Sequence, residues 1–575
     1  MKKLLLGNHA AALALSLAGC KFISSYPGTP STEITEAAAT YPNIYAEWAP
    51  NEKSALEAAF GASLAGTRAA VAQKHVGLNV AADPLFSMSY SGINAGLVIF
   101  VADDPNLHSS QNEQDSRHYA RAAKIPLLEP ADSQDILDFT LEAFNISESF
   151  DTPVLIRLNT RVAHSQSCVT FDNPSHNEPR HYIKDISKFV LVPAFAKKRH
   201  IVVEDRLSLL ADAFNHSTLN RVQLGDSSFG FVTASSYHYI KEILPYVSVL
   251  KLGSVFPLPL NLIRDFAAKV NRLIVLEELD PFIQSQLMAA GIPCEGASLF
   301  PRCGEFSPNL IAEKLGLELP SNFSLNHPIP PRPPVLCPGC PHRGLFFALK
   351  KNNCTVLGDI GCYTLAAMPP LSSIDMTLCM GASIGATHGF NKVLGEKSES
   401  NTVAVLGDST FVHSGMTGLA NVAYNQSNST VIILDNSITG MTGHQQNPTT
   451  GLNIKGEPAG KINLEALCRA MGINRVRVVD PYNLKECDVV IKEELAAKEP
   501  SVIISRRPCA LLKNVKHKPP LRVDKDKCIG CKSCMKIGCP AISMKNGKAV
   551  VDQTQCVGCE VCSQLCPKKA FGRET

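Results

Sequence analysis

The chain has 575 residues, 45% hydrophobic and 19% charged, enough for three or four cored domains of roughly 150 residues and too apolar for a disordered chain. A mean hydropathy of +0.03 and an N-terminal apolar run of about a dozen residues fall short of a membrane span. The formal net charge of +3 comes from mixed signs, which excludes a broad nucleic-acid surface.

The first twenty residues, MKKLLLGNHAAALALSLAGC, have the outline of a bacterial lipoprotein signal ending at Leu17-Ala18-Gly19-Cys20. Gly7-Asn8-His9 breaks the apolar core that such a signal needs. The same residues parse as a strand over 4–6, a turn at Gly7-Asn8 and a helix ending near Gly19, so a cytoplasmic protein is expected. Apolar strands over 68–72, 96–101 and 153–157 alternate with Ala-rich helices, the pattern of a parallel sheet covered on both faces. The first domain is expected over 1–180, followed by a polar linker near 173–185. A second α/β domain is expected over 188–325, with strands at 230–232 and 273–276. Pro328-Ile329-Pro330-Pro331-Arg332-Pro333-Pro334 reads as a stiff extended connector. A third α/β domain follows over 335–515, and Lys518-Pro519-Pro520 opens a last module over 521–575.

That module holds eight of the 20 cysteines. So dense a cluster in so long a chain points to metal binding in a reducing compartment rather than to disulfides. Its halves read Cys528-x2-Cys531-x2-Cys534-x4-Cys539-Pro540 and Cys556-x2-Cys559-x2-Cys562-x3-Cys566-Pro567. Three closely spaced thiolates grip three corners of a cubane, and the distant cysteine takes the fourth corner of the other cluster. Cys528, Cys531, Cys534 and Cys566 are thus assigned to one [4Fe–4S] cluster, and Cys556, Cys559, Cys562 and Cys539 to a second. Two zinc sites would need no interleaved, Pro-terminated runs. The module resembles the bacterial two-cluster ferredoxins over 521–572, with one extra residue between Cys534 and Cys539. Its 10 Lys and Arg against 5 Asp and Glu roughly balance the clusters' own negative charge.

In the third domain, strands over 403–407 and 431–435 run into Gly407-Asp408-Ser409 and Asp435-Asn436. Gly407 to Asn436 spans 30 residues, the length of one strand–helix–strand unit. Asp408 and Asn436 then lie at the carboxyl ends of neighbouring parallel strands, where such sheets bind ligands. Two oxygens there suit Mg²⁺ holding a diphosphate, although Gly-Asp-Ser alone is more often an ordinary strand-end turn with a helix cap. The pair resembles the thiamine-diphosphate fingerprint GDG-x(25–30)-NN, with Ser409 for the last Gly and Asp435 for the first Asn. That resemblance adds the Ile438 carbonyl as a third protein ligand. A thiamine enzyme also needs a carboxylate against the aminopyrimidine ring. Glu52 opens an Ala-rich helix in Asn51-Glu52-Lys53, where pattern alone makes it a favourable N-terminal charge.

Tyr26-Pro27-Gly28-Thr29-Pro30-Ser31, the Asn51-Glu52-Lys53 helix, the GDS and DN motifs and a terminal two-cluster ferredoxin occur in this order. The chain thereby resembles the 2-oxoacid:ferredoxin oxidoreductases over essentially its whole length, most closely the indolepyruvate-type α subunits. The stretches ADDPNLHSSQNEQDSRHYA (102–120), CPGCPHR (337–343), MGASIG (380–385), MTGHQ (441–445) and RRPCAL (506–511) carry that finer likeness. The resemblance implies two thiamine-diphosphate-type parallel-sheet domains, a transketolase C-terminal-like α/β domain between them in sequence, and the ferredoxin domain. It makes Glu52 the cofactor-activating acid and places Thr29 in the substrate pocket. It gives Mg²⁺ to Asp408, Asn436 and Ile438, and places Gly407, Gly381, His413 and His444 about the cofactor. Related enzymes hold a further [4Fe–4S] cluster with a CPGC pair and two later cysteines; Cys337, Cys340, Cys362 and Cys509 match, although Pro341-His342-Arg343 departs from the usual continuation.

The activity so implied is the oxidative decarboxylation of an arylpyruvate with coenzyme A (CoA) to arylacetyl-CoA and CO₂, with electrons leaving through the clusters to ferredoxin. A smaller β subunit, an α2β2 assembly and an anaerobic cytoplasm belong to the same expectation. The rival readings are a non-oxidative thiamine decarboxylase or carboligase and a non-catalytic electron-transfer subunit.

Overall fold

A computed structural model describes residues 1–172, 179–318 and 327–573. Part of the expected linker (173–178) and the expected second boundary at 325 lie outside the described residues. The chain packs as two compact units, Met1–Asn326 and His327–Thr575.

In the first unit, strands Ala69–Lys74, Leu97–Asp103 and Val154–Asn159 are buried along their whole length. Only a sheet covered on both faces permits this. The seven-stranded order is Ser254–Phe256, Leu127–Leu128, Val154–Asn159, Leu97–Asp103, Ala69–Lys74, Phe22–Ser25, Tyr45–Trp48. All neighbours are parallel except the first pair. Ser254–Phe256 reaches this sheet from the expected second domain. That segment's own sheet runs Leu273–Leu276, Asp226–Thr233, Val247–Lys251, Arg221–Gln223, with the last strand antiparallel. One core joins both segments, with Val101, Leu127, Leu250, Phe256 and Phe282 in contact.

The N-terminal residues form strand Lys2–Leu6, antiparallel to Gln166–Thr170, and helix Gly7–Leu17. The expected turn is missing because Gly7 is itself the first helical residue. A Cβ there would meet the Val162 carbonyl at 2.0 Å, so only glycine allows strand to pass straight into helix. Buried Asn8 donates to the Pro30 carbonyl at 2.7 Å and to Glu33 at 2.8 Å. Among the described residues no helix is long and apolar enough to cross a membrane.

The second unit is built on a fully parallel sheet ordered Thr355–Leu357, Thr402–Gly407, Thr430–Asp435, Ser501–Arg506, Arg475–Val479. Apolar clusters cover its two faces. Its carboxyl edge therefore gathers Asp359, Asp408, Asn436, Cys509 and Asp480 from five different strand ends. The cysteine module adds two short antiparallel pairs, Arg522–Val523 with Phe571–Gly572 and Ile542–Lys545 with Lys548–Val551. Leu484 belongs to the core formed around the module's cysteines.

Candidate active site and iron–sulfur centres

In the first unit, Asn51 caps helix Glu52–Leu64 by accepting from the Ser54 N–H at 2.9 Å. The cap places Glu52 at the first helical position, buried at 4% exposure. Gly77 lies against it, so close that a Cβ there would stand 2.5 Å from Glu52 Oε1. Thr29 lies in the loop after Phe22–Ser25, and a Cβ on the preceding Gly28 would stand 3.0 Å from Lys74 Cβ. The carboxyl edge of this sheet thus brings the Thr29 loop, Lys74 and the turn against Glu52 into one neighbourhood. Sequence reasoning passed over Lys74. It is buried, donates to the Ser109 carbonyl at 2.7 Å, and burial pushes its ammonium down to about 8.

In the second unit, Asp408 is 1% exposed and accepts from the Ser409 N–H at 2.8 Å, the Ser437 N–H at 3.1 Å and the Thr449 hydroxyl at 3.1 Å. Burial, with help from Asp435, pushes its carboxyl up to about 7. The Asn436 side-chain amide lies 3.3 Å from Asp408 Oδ1 and 2.9 Å from the Ile438 carbonyl, where in the absence of a metal its nitrogen donates to both. Adjacent oxygens around an octahedral Mg²⁺ at 2.0–2.1 Å stand about 2.9 Å apart. Turned over, the amide would present its oxygen instead, making three converging acceptors that fit a divalent cation.

Around this centre Gly381 has φ +85° and its Cβ would stand 2.6 Å from Ser414 Cβ. Asp359 holds that turn, accepting from the Gly381 N–H at 2.9 Å and the Ser383 N–H at 3.2 Å; burial pushes it up to about 6. A Cβ on Gly407 would stand 3.2 Å from the Tyr363 ring. His413 is buried in the π-helical turn Phe411–Gly415, its Nδ1 2.5 Å from the Ser414 hydroxyl. His444 stands on the cysteine side of this centre, with Nε2 3.8 Å from Cys509 Sγ. Thr449 and Asp359, like Lys74, carry no motif of their own; Asp359 and Lys74 had only a position at or near a strand end as a signal, and Thr449, in the long loop after Thr430–Asp435, had none.

Cys337, Cys340, Cys362 and Cys509 converge. Cys340 is within electrostatic reach of Cys337 and Cys362, and Cys509 of Cys337 and Cys362. The Cys509 N–H donates to the Asn436 carbonyl at 2.9 Å, which ties this cysteine to the strand end that carries Asn436. Burial pushes the Cys340 thiol up to about 12 and Cys362 to about 11. Four half-buried, converging cysteines suit a metal core, which would take them as thiolates.

In the terminal module, Cys528, Cys531, Cys534 and Cys566 line one cavity. Cys539, Cys556 and Cys559 act on Cys562, whose thiol is raised chiefly by burial. Backbone N–H groups of Ala549, Ala570 and Leu521 point at Cys528 Sγ (3.5 Å), Cys566 Sγ (3.3 Å) and Cys556 Sγ (3.4 Å). Such donors are what cluster sulfurs use to stabilise added charge.

The model of the pyruvate flavodoxin/ferredoxin oxidoreductase thiamine-diphosphate-binding domain matches residues 13–189. That of the thiamine pyrophosphate enzyme C-terminal TPP-binding domain matches 359–505, and a 4Fe–4S dicluster domain matches 520–567. The indolepyruvate oxidoreductase subunit IorA of Pyrococcus horikoshii is 40% identical over 99% of this chain and 96% of its own length. The subunit of the same name from Archaeoglobus fulgidus is 38% identical over 99% and 97%. The 2-oxoglutarate synthase subunit KorA of that organism is 26% identical over 48% of this chain and 87% of its own.

Proposed function

The chain belongs to the family of indolepyruvate oxidoreductase IorA subunits, thiamine-diphosphate-dependent 2-oxoacid:ferredoxin oxidoreductases, and we propose that its substrates are arylpyruvates with CoA as acyl acceptor. The balanced reaction converts one arylpyruvate, one CoA thiol and two oxidised ferredoxins into arylacetyl-CoA, CO₂, two reduced ferredoxins and a proton. The new bond is carbonyl carbon to CoA sulfur, and the bond that breaks joins that carbon to the carboxylate.

When bound, thiamine diphosphate supplies the electron sink for loss of CO₂, and [4Fe–4S] clusters take electrons singly. Glu52, held at a helix start and walled off from water, would hold a proton against the aminopyrimidine nitrogen. Thr29, on the adjoining loop, would orient the 2-oxo acid. Asp408, Asn436 and the Ile438 carbonyl would fix Mg²⁺ on the diphosphate, with Thr449 and Ser437 orienting the Asp408 carboxylate. Gly407, Gly381, His413 and Asp359 would shape the walls of that end. Cys337, Cys340, Cys362 and Cys509 would hold a third cluster beside it.

The meeting of Asp408, the Asn436 amide and the Ile438 carbonyl at the ends of neighbouring parallel strands carries this reading, with four cysteines alongside to receive electrons. The naming of relatives as subunits supports a smaller β partner, and an α2β2 assembly is our proposal for the pair. The oxygen sensitivity of exposed clusters supports an anaerobic cytoplasm. The test is viologen-dye reduction by anaerobically prepared protein with its partner subunit, offered arylpyruvates or pyruvate with and without CoA. CoA-dependent reduction favouring arylpyruvates is expected. A preference for pyruvate would overturn the substrate class, and CO₂ release without dye reduction would overturn the oxidative reaction.

A further inference from the structure

Two features of the cysteine-bearing loops touch each other. One is Arg343, in the Pro341-His342-Arg343 run after the CPGC pair. The other is the extra residue between Cys534 and Cys539. The Arg343 guanidinium is buried at 5% exposure. Its Nε donates to the Cys337 carbonyl at 3.2 Å, and its Nη1 donates to the Ile537 carbonyl at 3.2 Å and to the Gly538 carbonyl. Its Nη2 donates to the Leu336 carbonyl. One side chain thus ties a residue of the CPGC loop to the two residues that lead into Cys539. Gly538 has φ +68°, and a Cβ there would stand 2.8 Å from Pro370 Cδ and 3.2 Å from Arg343 Nη1. Only glycine fits at this contact.

Every recorded acceptor of Arg343 is a neutral carbonyl; among the described residues no carboxylate pairs with it. The ionisable groups nearest it are the thiols of Cys539, Cys340, Cys337 and Cys559, which carry charge only as thiolates. A buried cation without a counter-ion is strongly unfavourable. Four thiolates around an oxidised [4Fe–4S] core leave about −2 on each cluster, which would supply the missing charge from both sides. The two loops also meet directly. A Cβ on Gly339 would stand 2.1 Å from Val557 Cγ2, the residue after Cys556. Tyr482 spans the same seam, its hydroxyl donating to the Gly339 carbonyl while Gln564 donates to the Tyr482 carbonyl at 2.7 Å.

We propose that Arg343 is a positioning residue for electron transfer: it fastens the CPGC loop to the loop entering Cys539 and stabilises an added electron on the clusters those loops carry. Clusters held by Cys337, Cys340, Cys362 and Cys509 and by Cys539, Cys556, Cys559 and Cys562 would supply one-electron exchange across this contact, the first giving up the electron that the second takes. No bond or proton moves, because a guanidinium keeps its proton. The inference rests on the assignment of a cluster to Cys337, Cys340, Cys362 and Cys509.

The experiment is an anaerobic redox titration by electron paramagnetic resonance, with iron counted on the same protein. It compares wild type, Arg343→Met, Arg343→Lys, and Arg343→Gln, which keeps an N–H donor but no charge. Twelve irons per chain are expected in wild type. A unit charge a few ångströms from a cluster in a partly buried site shifts its reduction equilibrium by at least tenfold. Arg343→Met should therefore weaken reduction of two of the three clusters tenfold or more, about 59 mV for a one-electron couple. The cluster on Cys528, Cys531, Cys534 and Cys566 should hold its potential, and Arg343→Lys should restore the others to within threefold. If the methionine variant loses iron, Arg343→Gln is read by the same criterion. Full iron with unshifted potentials in the neutral variant would overturn the proposal. Eight irons in wild type would overturn the cluster assignment instead, a separate result visible before any variant is titrated.

Discussion

Asp408 offers a test of the proposed diphosphate centre that needs no substrate. Burial raises its carboxyl from 3.8 to about 7, with Asp435 the second cause. Without cofactor and metal, the folded protein keeps a proton that the unfolded chain releases above pH 3.8. The resulting stability is complete below the unfolded value and is lost as pH rises through about 7. Roughly three units at 1.36 kcal/mol each amount to about 4 kcal/mol, of which about 2–3 kcal/mol is lost between pH 5 and pH 8. Asp408→Asn keeps the shape and cannot titrate. Urea midpoints of cluster-loaded, cofactor-free protein should therefore fall from pH 5 to pH 8 more steeply in wild type than in the variant. The difference between the two curves is the readout; it cancels other raised groups such as Asp359 and Glu278, and a chain of several domains has no single unfolding free energy. Thiamine diphosphate with Mg²⁺ should flatten the wild-type curve, because the cation replaces the proton. Parallel curves for wild type and variant would refute the reasoning.

Glu52→Gln should bind thiamine diphosphate and Mg²⁺ normally and lose about 10²–10⁴-fold in turnover, the usual worth of a positioned acid or base; steady-state dye reduction beside a cofactor-binding titration checks it, and unchanged turnover would remove Glu52 from the reaction. Gly77→Ala puts a Cβ 2.5 Å from Glu52 Oε1 and should lower kcat at least tenfold at unchanged iron content. A normal kcat there would show that the Glu52 carboxylate does not need its present place. Gly339→Ala, at φ +68° and against Val557, should slow electron flow from substrate to ferredoxin while dye reduced directly at the first site is unaffected; stopped-flow absorbance of the clusters reads both.

Much of this was legible in the residues because the chemistry is local. Ligand spacing in the cysteine module follows from the geometry of a cubane, and Asp408 and Asn436 follow from the length of a strand–helix–strand unit. Apolar runs such as Leu97–Asp103 located the sheets. What stayed hidden depends on contacts far apart in the chain. Thr449 reaches Asp408 across 41 residues and Arg343 reaches Gly538 across 195, and nothing in either local sequence announces the other. Lys74 is the last residue of an apolar strand, where an ammonium reads as a solvated end until the Ser109 carbonyl is seen beside it. The missing turn at Gly7 has the same origin: the Val162 carbonyl that dictates glycine lies on another helix.

The short strand Ser254–Phe256 has a consequence for how this protein can be divided or inherited. It caps the Leu127–Leu128 edge of a sheet that the first 180 residues otherwise build alone, and Leu250, Phe256 and Phe282 complete the core beneath it. A fragment cut between the two segments would carry an open hydrogen-bonding edge and an apolar face stripped of its cover, the conditions for edge-to-edge association. Recombination near residue 185 would therefore yield insoluble halves, whereas the two segments can be exchanged as one heritable block.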